Sequence, residues 1–230
     1  MDLTTVRKAS IEQNWLADIK RTSKLTITDD GTIDYLSNRI RPWVRLMMPQ
    51  GSYVEWAQGV FLLASPVRGA DEQGVVTREV QGYDSLLIFR DDKVVDRYTV
   101  LAGVAYTTAV STLLGSIPKS ISPSTLTLPT AKEWEPGTPK LVIINELLNA
   151  VNYESLSFDE SGIAIVKPYL SPQDRPEEYT YADDKDSLII PDPEQELDLF
   201  DVPNRWVVVV SDPDRPALSS VYTNSDPSSP

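Results

Sequence analysis

Residues 40–66, IRPWVRLMMPQGSYVEWAQGVFLLASP, decide how this chain is read. Pro49-Gln50-Gly51-Ser52 breaks the run into two extended halves, Trp43 to Met48 and Tyr53 to Ala64, so the segment predicts a long β-hairpin. Its apolar residues do not keep to one face. Leu46, Met48, Val54, Trp56, Val60, Leu62 and Ala64 share one parity, while Trp43, Met47, Tyr53, Phe61 and Leu63 hold the other. A strand with two apolar faces needs cover on both sides, from helices within the chain or from another subunit. Trp43, Arg45, Met47, Tyr53, Trp56, Phe61 and Leu63 are therefore the candidate interface residues.

Around the ribbon, Arg21–Thr28 alternates as a strand, Asp29-Asp30-Gly31 turns the chain, and Val75–Val80 returns as a further strand. Four strands close in sequence predict a meander or barrel. Two helical stretches follow, Tyr83–Phe89 and Tyr106–Leu114, the second ending at Gly115; Asp84 is the candidate cap of the first. Pro118, Pro123, Pro129, Pro136 and Pro139 mark residues 118–138 as a connector. Beyond it, Lys140–Val151 has helical spacing, Ser155–Phe158 and Ile163–Lys167 pair as strands, Ser187–Ile190 is a short extended piece, and Arg205–Val210 is answered by Ala217–Thr223. The fold class expected is α+β, predominantly β. A barrel with packed helices over 1–117 is followed by a smaller α+β unit over 139–200, with returning strands and the start of a linker over 201–230.

The 230 residues carry no cysteine and no histidine, with a net charge of -13. Disulfides, thiolate nucleophiles, His-based triads and His-ligated zinc are thereby excluded. The acidity is uneven: residues 1–115 have a net charge of -1 and residues 116–230 of -12. A surface of that sign repels nucleic-acid backbones. No apolar run is long enough for a membrane span.

The candidate paired carboxylates for glycoside hydrolysis are Glu177 with Glu178, and Asp183, Asp184 and Asp186. All lie in polar, proline-bounded stretches without apolar surroundings to raise a pKa, so no catalytic residue is assigned. Asp29-Asp30-Gly31 and the DDKDS stretch lack the spacing of a calcium loop, so no metal ligand or cofactor is assigned either. Arg39, Arg41 and Arg45 interleave with Trp43, a pattern that also occurs at single-stranded nucleic-acid sites; cross-strand pairing of Arg45 with Glu55 is the simpler account. A glycan-binding module would need exposed aromatics, for which Tyr169, Tyr179, Tyr181 and Trp134 are available.

Several segments, in this order, resemble the baseplate hub or minor tail proteins of long-tailed bacteriophages. They are NWLADIKRTSKLTITDDGTIDYLSNRIRPWVRL, GVFLLASPVR, VTREVQGYDSLLIFRDDKVVDRYTVLAGVAYTTAV, LVIINELLNAVNYESLSFDESG, and DLFDVPNRWVVVVSDPD followed by TNSDPSSP. The resemblance implies a tail-tube-like β-barrel in a structural virion protein at the distal end of the tail, without enzymatic activity. It further implies a ring that joins the tail tube or distal tail protein to tip spike or fibre proteins. The ring would surround the conduit for the tape-measure protein and for DNA in transit. In the family a passage like TNSDPSSP leads into a second barrel, so the expectation is a gene product that continues past Pro230. Three copies would then present six barrels, and six copies would be needed if each supplies one. A receptor- or glycan-binding tip module, or a component of a cell-wall hydrolase, are the alternatives.

Overall fold

The computed structural model describes residues 6–29, 31–70, 74–177, 180, 203–210 and 218–225. The chain divides into two units, residues 1–175 and 176–230.

The first unit begins with β1 (Val6–Gln13) and β2 (Arg21–Thr28), continues through β3 (Arg39–Ile40), β4 (Trp43–Met47), β5 (Tyr53–Ala57) and β6 (Phe61–Ala70), and reaches β7 (Val76–Tyr83). Five of these strands form one antiparallel sheet in the order β1-β2-β7-β6-β3. This curled half-barrel is open among the described residues, with β1 and β3 at its edges. β2 shows why its strand forms: Arg21, Ser23, Leu25 and Ile27 alternate inward, and the last two meet Val80 of β7 under Ile33, Tyr35, Ile40 and Leu63.

The expected unbroken strand from Tyr53 to Ala64 is two strands. Gln58, Gly59 and Val60 lie between β5 and β6, with Gly59 at φ +132, and β4–β5 is a separate two-stranded sheet. Phe61 is also corrected. It is fully buried and sits between Gly59 and Gly82, so it is a core residue of this chain. Leu63 is half-buried against the small core.

Close packing at Phe61 supplies a test. A Cβ on Gly82 would lie 2.2 Å from Ser23 Oγ and 3.0 Å from Phe61 Cβ. Gly82→Ala should therefore cost about 1–3 kcal/mol through overpacking. Among the described residues, Ser23 Oγ is buried without a hydrogen-bond partner. Ser23→Ala should leave stability unchanged or raise it by up to ~1 kcal/mol, and should shrink the Gly82→Ala penalty when the two are combined. Chemical denaturation of the four proteins measures this cycle.

The remainder of the first unit is α1 (Leu86–Asp91), β8 (Tyr98–Val100), α2 (Tyr106–Leu114), β9 (Lys119–Ile121), β10 (Lys132–Trp134), α3 (Lys140–Asn149), β11 (Ser157–Phe158) and β12 (Ala164–Val166). The first helix starts later than its sequence implied, because Tyr83 pairs with Thr22 and Leu62 in the sheet. α2 matches its predicted limits and ends where Gly115 takes φ +61. α3 forms where helical spacing was expected and buries Leu141, Ile143, Ile144, Leu147 and Leu148. All three helices share one core with Val100, Leu128, Trp134, Phe158 and Val166. The stretch 118–138, expected as a connector, thus supplies β9, β10 and two buried core side chains. β11 and β12 pair antiparallel, and β9 adds to β12 in parallel.

Of the second unit, β13 (Arg205–Val210) and β14 (Leu218–Thr223) pair antiparallel, with the Trp206 and Tyr222 rings packed at 5.6 Å. The expected strand Ser187–Ile190 lies outside the described residues.

Candidate functional site

The β4–β5 hairpin leaves the body as an arm. A five-residue connection closes its tip, where Ser52 O accepts the Met48 N–H and Met48 O accepts the Gly51 N–H. The register places Trp43 opposite Ala57, Arg45 opposite Glu55 and Met47 opposite Tyr53 on one face, and Val44 opposite Trp56 and Leu46 opposite Val54 on the other. Arg45 and Glu55 form the cross-strand ion pair at 2.5 Å, while Arg45 also lies over Tyr53 and Arg41 over Trp43. Arg45 is thus engaged within the ribbon, and Arg41 packs on its tryptophan.

Among the described residues, neither face is covered. Trp43, Val44, Leu46, Met47, Tyr53, Val54 and Trp56 are each 40–63% exposed. Helical cover within the monomer, one of the two arrangements the sequence allowed, is absent among the described residues. Alternation did not fail locally, because successive side chains do point to opposite faces. What is unusual is that both faces are apolar and a two-stranded ribbon has little independent stability in water.

At its base the arm meets a buried polar seam. The Arg21 guanidinium, almost fully buried, donates to Gln58 O at 3.1 Å and to Glu160 Oε1 at 2.6 Å. This pairing holds the Glu160 carboxyl below its ordinary pKa. Lys20 donates from Nζ to Ser155 Oγ at 2.7 Å, and burial pulls its ammonium pKa down against the nearby charge of Asp84. Asp84 is buried. Its Oδ1 accepts the Leu86 N–H at 2.9 Å at the start of α1, and its Oδ2 accepts the Arg21 N–H of β2 at 3.0 Å. Burial is the largest influence on this carboxyl and raises its pKa. The second bond, from sheet to helix, had no signal in the sequence, because it joins residues 63 positions apart.

The remaining candidates are dispersed. Trp134 is buried, its indole donating to Glu146 Oε2 at 2.9 Å, which removes it from any exposed aromatic platform. Tyr169 is exposed beneath Arg175. Asp29 pairs with Arg78 at 2.5 Å. Asp30, Glu178, Tyr179, Tyr181, Asp183, Asp184 and Asp186 lie outside the described residues. No helix among the described residues is long and apolar enough to cross a membrane.

No protein-family model and no curated protein matches the chain. Among solved structures, it is similar to a tail protein from Neisseria meningitidis MC58, with TM-score 0.51, 14% identity, and coverage of 69% of this chain and 45% of that one. A 43 kDa tail protein of prophage MuSo2 from Shewanella oneidensis also aligns, with TM-score 0.48, 14% identity, and coverage of 71% of this chain and 50% of that one. The chain spans half or less of the length of these proteins. The likeness to the Neisseria protein is one of fold.

Proposed function

We propose that this chain is a non-enzymatic structural subunit of a phage tail, a tail-tip hub that forms a ring between tail tube and tip. The observation that carries assembly is the β4–β5 arm, apolar and exposed on both faces. The fold likeness to a tail protein supports the setting. In the ring, Trp43, Met47, Tyr53 and Trp56 pack against the neighbouring copy, while Phe61 holds the arm's root within its own subunit. Three copies form the hub, or six if each supplies one barrel. The tail tube or distal tail protein stacks on one side and spike or fibre proteins on the other. The tape-measure protein and DNA pass through the centre, where an acidic wall would avoid holding phosphates.

Magnitudes set the expected strength. Covering seven half-exposed large apolar side chains is worth ~1 kcal/mol each. Association costs about 4–15 kcal/mol in lost freedom. The arm alone therefore gives weak, concentration-dependent assembly, which a ring or a tube template reinforces. Sedimentation analysis of the purified chain should show a monomer converting to a trimer or hexamer as concentration rises. The variant Trp43→Ser/Met47→Ser/Trp56→Ser should keep the circular dichroism of the parent and remain monomeric. A parent chain that stays monomeric at millimolar concentration and ignores isolated tail tubes would overturn the proposal.

A further inference from the structure

The arm is joined to the body through an interrupted ladder. The β3–β6 pairing ends at Ile40↔Phe61 and the β4–β5 pairing begins at Trp43↔Ala57. Between them Arg41 and Pro42 face Gln58, Gly59 and Val60, bridged by the Gln58 N–H donating to Pro42 O at 2.9 Å. Two residues against three is a bulge-like step, at which a ribbon bends and its ladder is weakest. Pro42 has no N–H to add, and Gly59 at φ +132 occupies backbone space closed to other residues.

Three contacts fix this step to the β11–β12 turn. Arg21 links Gln58 O to Glu160, Arg41 donates to Ser161 Oγ at 3.1 Å, and the Val60 side chain fills the space beside Gly162, where a Cβ would lie 3.2 Å away. The turn is itself rigidly built. Asp159 Oδ1 accepts the N–H groups of Ser161 and Ile163, both at 2.8 Å, and the Asp159 N–H donates to Ile163 O at 3.0 Å.

We propose that the arm is a jointed element whose angle is set by this turn acting as a clasp. The pivot is Arg41–Pro42 with Gln58–Val60, and the clasp is Glu160, Ser161 and Gly162. Because the turn continues into β12 and so to β9, force or binding on the arm is transmitted to the helical half of the unit. Loss of the clasp frees the arm to swing. This holds whether or not the arm enters a ring.

The chain has no cysteine, so Gln50→Cys at the arm tip and Asn149→Cys at the end of α3 give one spin-labelled pair. Pulsed dipolar spectroscopy on dilute, monomeric chain should give one narrow distance distribution. Adding Glu160→Ala/Ser161→Ala should broaden it roughly twofold and move its maximum, as expected of a released hinge. An unchanged distribution would overturn the proposal. Both substituted side chains are exposed, and a far-UV spectrum checks that the fold survives. Should the double variant unfold, Arg41→Ala, which removes one exposed clasp contact, is read in the same way, and an unchanged distribution there overturns the proposal.

Discussion

Phe61→Ala lowers the unfolding free energy by about 3–5 kcal/mol, the cost of emptying a fully buried aromatic site. The neighbours make collapse into the cavity difficult, because Gly59 and Gly82 approach the ring from the backbone and have no side chains to move inward. Met47→Ala, on the exposed arm, should change monomer stability by no more than ~0.5 kcal/mol. The two residues share a parity in the sequence and differ completely in role. Denaturant titration of both variants below the concentration of self-association measures the contrast. Equal costs would mean that the arm is packed in the monomer, contrary to the structure. Against a total stability of about 5–15 kcal/mol, the Phe61 variant should also show a sharply reduced yield of folded protein.

The same pair shows what could be read from the sequence. Local periodicity located α2 and the hairpin tip, because each depends on residues within one or two turns of each other. It misassigned Phe61 because parity was carried across Gln58-Gly59-Val60 as if the strand were continuous. The step at the arm's root changes the count on one side of the ribbon, so parity along β5 says nothing about β6. β1 went unnoticed for a related reason. An edge strand exposed along nearly its whole length has no buried face to impose alternation, and VRKASIEQ accordingly reads as polar.

The base of the arm was illegible in another way. Lys20 and Arg21 reach Ser155 and Glu160 across 135 and 139 residues, and nothing in either local sequence marks the other. In the proposed ring, the Arg21 contacts to Gln58 and Glu160 would set where the apolar arm points. A ribbon with two sticky faces on an unconstrained joint would collapse onto its own body or onto any exposed strand edge. A fixed angle directs it toward one geometry of neighbour, and a repeated fixed angle is what a closed ring requires. In the proposed ring, the arm would supply attraction and the buried seam direction.

Asp84→Ala should cost about 2–4 kcal/mol, because two backbone N–H groups, those of Leu86 and Arg21, lose their acceptor in a buried site. Asp84→Asn should recover only part of that loss. The amide oxygen can serve one N–H, but its NH2 then faces the other donor. The pH dependence isolates the carboxyl. Burial raises the pKa of Asp84 in the folded protein, so its favourable contribution is complete below the ordinary carboxylate value and is lost as pH rises through the raised one. Glu160, Glu146 and Asp29 run the other way: their pairings lower their pKa values, and their contributions disappear as pH falls. Through those three pairings the parent therefore weakens in acid. Relative to Asp84→Asn, however, it gains stability between pH 7 and pH 4, since only the parent can neutralise the buried charge. Denaturation of the two proteins across that range measures the difference. A constant gap would show that Asp84 is charged throughout and that its two N–H bonds, and not burial, dominate its chemistry.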